Sequence, residues 1–210
     1  MLLRFVIPLL LLAAPQAALG LQILPAADDR RIELSLVPDP AAVVTASPAF
    51  SVFSETLFFV GAGEATQNTS LGATTLSGSG GDFTDGAGAT EGRTRFDVTF
   101  RVDEPAAYDL TGELFGDLIY FTLALTGPSG TLFTPALAGT TLPFADSGLL
   151  LPGLDYRLVI ESRHPSAMGT VGPNEWNFVF AIDVPEPDAF ALWLGVAAAL
   201  ATHTRRARRS

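Results

Sequence analysis

Three stretches of the chain carry large apolar residues at every second position, and the first of them alternates strictly with polar ones. In Arg95-Phe96-Asp97-Val98-Thr99-Phe100-Arg101-Val102 the apolar residues fall at every second position. Ile119, Phe121, Leu123 and Leu125 do the same, as do Trp176, Phe178, Phe180 and Ile182. A period of two puts one set of side chains on each face of a strand, so each segment predicts a half-buried strand of an antiparallel sheet. Turn signals separate such runs: Gly127-Pro128-Ser129-Gly130, Pro152-Gly153 and Gly172-Pro173-Asn174. Short alternating strands between Gly/Pro turns predict an all-β fold, an antiparallel β-sandwich or jelly roll. The 15 phenylalanines suit a core between two sheets.

Further strands are expected over Ile32 to Val37, Phe50 to Val60, Ala107 to Leu114 and Thr131 to Leu137, with a shorter stripe at Tyr156, Leu158 and Ile160. Leu151-Pro152-Gly153-Leu154-Asp155-Tyr156 resembles the turn into a late strand of fibronectin-type sandwiches. That resemblance implies a tyrosine corner, with the Tyr156 hydroxyl returning to upstream backbone. Gly61 to Gly92 is rich in Gly, Ala, Ser and Thr. It reads as a long flexible loop or as two weak edge strands around a turn.

The ends of the chain follow different rules. Arg4, the apolar run Phe5 to Ala14 and the small residues through Ala18-Leu19-Gly20 form the three parts of a secretory signal peptide, residues 1–20. At the other end, Val184-Pro185-Glu186-Pro187 precedes an apolar run from Ala189 to Ala201. Arg205, Arg206, Arg208 and Arg209 then close the chain. The run has no polar face, unlike a helix docked on a domain. As a helix, residues 188–204 rise about 25 Å at 1.5 Å each. That approaches the bilayer core of about 30 Å, and snorkelling arginines close the gap. The segment is thus expected to be a single transmembrane helix, with its arginines holding the C-terminus in the cytoplasm.

This tail resembles the PEP-CTERM sorting signal of Gram-negative bacteria: the Pro185-Glu186-Pro187 motif, the apolar helix and the basic end, in that order within residues 184–210. The resemblance implies an exosortase-type enzyme of the inner membrane as a processing partner, and an association with exopolysaccharide and biofilm. Residues 21–183 are then an exported ectodomain, membrane-anchored during sorting and afterwards at the cell surface or outside the cell.

Composition limits the chemistry. Cysteine is absent, which excludes disulfides, thiol nucleophiles and Cys-based zinc sites. Between the signal peptide and the apolar C-terminal run lie seven arginines and all 22 carboxylates, a net charge of −15. That balance disfavours nucleic acid and anionic lipid surfaces. No resident cofactor is expected apart from calcium. Asp82 and Asp85 in Asp82-Phe83-Thr84-Asp85-Gly86 would hold calcium by carboxylates in a Gly-rich loop; a solvated loop is the alternative. Asp103-Glu104 and Asp117 are further acids for a cation at a sheet edge. His164, the one histidine of the ectodomain, reads as part of an exposed turn, without a Gly-x-Ser-x-Gly elbow to serve. Asn68-Thr69-Ser70 reads as loop composition, and Trp176 as core. The chain is expected to be a non-catalytic surface or matrix protein. A carbohydrate-binding module and a secreted polysaccharide hydrolase are the alternatives. Exposed aromatics in a groove mark the binder, and two carboxylates facing across a cleft mark the hydrolase.

Overall fold

A computed structural model of the chain describes residues 21–36, 42–46, 49–59, 63–84, 89–165 and 172–183. These residues form two antiparallel sheets, with no α-helix among them. The expected signal peptide, the sorting motif Val184, Pro185, Glu186 and Pro187, the transmembrane helix and the arginines at 205, 206, 208 and 209 lie outside the described residues. No helix among the described residues is long and apolar enough to cross a membrane.

One sheet has seven strands. Its spine is β7 (Ala89–Val102), paired along one side with β12 (Tyr156–Pro165). Beyond β12 come β9 (Phe121–Gly127) and the edge strand β10 (Gly130–Phe133). Two short strands share the other side of β7. β1 (Ile23–Asp28) takes its second half, and β2 (Arg31–Leu36) takes its first half and carries β3 (Ala42–Thr45) at its edge. The second sheet has six strands in the order β11 (Thr141–Leu150), β8 (Ala106–Phe115), β13 (Asn174–Asp183), β6 (Thr75–Thr84), β5 (Gly63–Leu71) and β4 (Phe53–Phe59).

The alternation in β7 and β13 sets how the sheets face each other. Phe96 meets Phe178 edge to face at 4.7 Å, and Phe100 meets Phe180 at 5.2 Å. Each such pair adds about 0.5–1.5 kcal/mol beyond the area it buries. Leu110 and Leu114 of β8 and Leu158 and Ile160 of β12 complete the same core. Tyr156 makes its corner: its hydroxyl accepts from the Leu151 amide at 2.8 Å.

Two expectations are corrected. Ile119 does not continue the stripe of β9. Residues Leu118–Tyr120 form a 3-10 turn capped by the Asp117 side chain, so Leu118 is buried and Ile119 is 68 % exposed. The Gly-rich stretch within 61–92 is neither a long loop nor a pair of edge strands. It supplies β5 and β6, which lie inside the six-stranded sheet. Small residues are required there: a Cβ on Gly80 would sit 2.5 Å from the Trp176 ring, and one on Gly78 2.3 Å from the Thr69 methyl. Low side-chain volume in β6 is the complement of high volume in β13, a relation between strands almost 100 residues apart.

Candidate functional site

The outer faces of the two sheets are chemically opposite. All seven arginines of residues 21–183 lie on the seven-stranded sheet or at its β1–β2 corner, and none lies in the six-stranded sheet. Each of the seven is in an ion pair. Arg93, Arg95 and Arg163 converge on Glu161, and Arg95 and Arg157 on Asp97. Burial opposes the charge on both acids, but these guanidiniums outweigh it and hold both carboxyls below their usual range. Every arginine of that face is thus already paired with a carboxylate.

The six-stranded sheet turns a bare polar face outward. Registration aligns its outward residues in rows across the strands. Thr56, Thr66, Gly81, Glu175 and Phe115 form one row, and Ser54, Asn68, Ser79, Asn177 and Glu113 the next. Short side chains down β6, at Ser77, Ser79 and Gly81, make the middle of this face low. Taller neighbours on β5 and β13 make it a trough. The cavity over it measures about 920 Å³ and continues into a second of about 420 Å³ that shares Asn68, Ser79 and Asn177. Phe83 and Phe115, 36 % and 47 % exposed, stand with Pro173 at one end of the larger cavity. No hydrogen bond or ion pair ties Glu64, Asn68, Glu113, Glu175 or Asn177 through its side chain to another described residue. These groups are free for a ligand.

Behind the sheet lies a buried polar cluster at the same end. Trp176 donates its indole N–H to Thr94 Oγ1 at 2.7 Å, and Thr94 shares a hydrogen bond with Ser162 at 2.7 Å. Ser162 donates to Asp82. Asp82 is buried, and burial pushes its carboxyl up to about 8 against the opposing pull of Ser162 and the Thr94 backbone. His164 Nδ1 lies 2.9 Å from Thr84 Oγ1 and accepts from the Thr84 amide at 3.3 Å. The cluster locks β6 to β7 and β12 across the sandwich. It lies on the core side, opposite to the face that carries Glu113 and Glu175.

The expected site residues fall differently. Asp82 is a core residue of β6 rather than a loop ligand, and its carboxyl accepts from the Ser162 hydroxyl. Asp85 lies outside the described residues. Asp103 accepts from the Gln22 amide at 2.8 Å, while Asp117 caps the turn beyond the far end of β8. The ten residues of β8 keep them about 33 Å apart. No group of three or more His, Asp or Glu able to hold a metal occurs among the described residues. His164 is buried at the end of β12, not in an exposed turn, and Asn68-Thr69-Ser70 is strand, with Thr69 facing inward to Arg30. Trp176 is core, as its alternation predicts. The trough residues carry a sequence signal of one kind only: they are the polar half of each alternation, the half that sequence reading assigns to solvent.

No family model matches the chain, and no curated protein matches it. Among solved structures it is similar to a GH31 alpha-xylosidase from Xanthomonas citri, at 9 % identity and a TM-score of 0.33. The match covers 77 % of this chain and 18 % of that protein.

Proposed function

We propose that the chain is an exported, non-catalytic surface or matrix protein, and that it holds a glycan of the extracellular matrix in the trough of its six-stranded sheet. The observation that carries this reading is the pairing of exposed aromatic rings with unpartnered polar side chains along one depression. Sugars offer apolar C–H faces that stack on rings such as Phe83 and Phe115. They also offer dense hydroxyls for Asn68, Ser79, Glu113, Glu175 and Asn177. A trough that runs along β6 suits a chain of sugar rings better than a compact metabolite. The ends of the sequence support the location: the signal peptide exports the domain, and the PEP-CTERM-like tail delivers it through the inner membrane and an exosortase-type enzyme to the surface.

Binding is favoured over hydrolysis by the placement of the acids. Glu113 and Glu175 are diagonal neighbours on adjacent strands, with Cβ atoms about 7–8 Å apart. Both point out of one face, so a glycan lying there has both carboxylates beneath it rather than on either side of a bond. Asp82, the carboxyl with its proton held, points the other way. Nucleic acid and anionic lipid are disfavoured as partners because every described arginine already has a carboxylate.

The test is a panel of oligosaccharides titrated against the full-length protein. Binding to at least one is expected. Phe115→Ala or Phe83→Ala is expected to weaken it by roughly tenfold, in line with about 1–1.5 kcal/mol for one stacking ring. Absence of binding across the panel, or full binding by the double alanine variant, contradicts the proposal.

A further inference from the structure

Resting on the glycan reading of the trough, we infer the class of glycan: a polymer that carries free amines, such as a hexosamine chain lacking N-acetyl groups, rather than a neutral or uronate polymer. The charge at the trough has one sign. Glu64, Glu113 and Glu175 line the larger cavity, no arginine or lysine occurs in its sheet, and no described cation neutralises the three carboxylates. The arginines that serve the opposite face are fully engaged there. A uronate chain brings like charge to this surface and is repelled; an ammonium-bearing chain is attracted. Glu175 is the best placed of the three. It follows the row from Gly81, has Phe115 directly across the ladder, and shares the larger cavity with Phe83. A ring stacked on phenylalanine thus sets its amine beside a carboxylate, and aromatic faces themselves attract cations.

The experiment titrates full-length protein with three hexamers: glucosamine, N-acetylglucosamine and galacturonate. Tightest binding by the glucosamine hexamer is expected, roughly tenfold over its acetylated form, with no binding of galacturonate. Glu175→Gln and Glu113→Gln keep the shape of exposed side chains and are expected to erase the preference. The preference is also expected to shrink as salt rises from 50 to 500 mM, since these charges are open to solvent. Equal binding of the acetylated and free-amine hexamers overturns the amine inference and leaves the glycan reading standing. Failure of all three hexamers alongside every sugar of a wider panel overturns both.

Discussion

At the scale of single residues, one buried carboxyl sets an unusual pH dependence. Asp82 has an ordinary value of 3.8 and is pushed up to about 8 by burial. The folded chain therefore keeps a proton that the unfolded chain releases above about pH 4. Stability from this group is complete below that point and falls as pH rises towards 8, by at most about 1.4 kcal/mol per pH unit. Asp28, Asp97 and Glu161 act with the opposite sign. Arginines hold their folded values below the usual range, so their contribution is present above it and is lost on acidification. The two trends place maximal stability on the acid side of neutrality. In Asp82→Asn the amide preserves the shape and a bond to Ser162 while removing the titration. Thermal melts from pH 3 to 9 are expected to show the decline between pH 5 and 8 in the parent protein and its loss in the variant. An unchanged decline in the variant contradicts this assignment. Nothing in the sequence marks Asp82 as buried: it stands beside glycines that resemble a loop, and its burial arises from Thr94, Ser162 and Trp176 on other strands.

At the scale of elements, the strands that read clearly are those with large side chains on the buried side. β7, β9 and β13 have a full apolar stripe, and their core faces are as the alternation predicts. β5 and β6 lack one. Their inner positions are Gln67, Thr69, Gly78, Gly80 and Asp82, whose fit is decided by Trp176 on the adjacent strand and by Arg30 and Ser162 across the core. That dependence on distant partners is why a central pair of strands reads as a loop. Arg30 links the elements at this end of the sandwich. It is fully buried, pairs with Asp28 at 2.7 Å, and donates to Thr69 at 3.1 Å and to the Ser51 carbonyl at 2.7 Å. Asp28 in turn accepts from the Phe50 amide at 2.6 Å, where the backbone takes a positive φ of 65°. This pins the approach to β4, the strand that forms one bank of the trough. Arg30→Met strands a buried carboxylate and is expected to destabilise the fold by about 3–5 kcal/mol in denaturant titration. Arg101→Met removes an exposed, solvent-screened pair with Asp155 and is expected to leave the denaturation midpoint almost unchanged. Equal effects of the two contradict the role given to the corner.

At the scale of the whole molecule, the sandwich separates its charges. One outer face is an arginine–carboxylate lattice that is already satisfied; the other is acidic, low along its middle and open. Composition shows the excess of carboxylates, but not that every described arginine lies on one sheet or at its corner. That division appears only when strands far apart in sequence are placed side by side. The export signal and sorting tail expected at the ends of the chain are read as linear segments, without reference to a fold, and lie outside the described residues. The account turns on which face holds the ligand. The most direct measurement is a nuclear magnetic resonance titration of the full-length protein in detergent micelles with an oligosaccharide that it binds, following the side-chain amides of Asn68 and Asn177 and the arginine Nε–H groups. Shifts at both amides, with the arginines unmoved, are predicted. Shifts among the arginines of β7 and β12, with the amides unmoved, contradict the assignment of the trough.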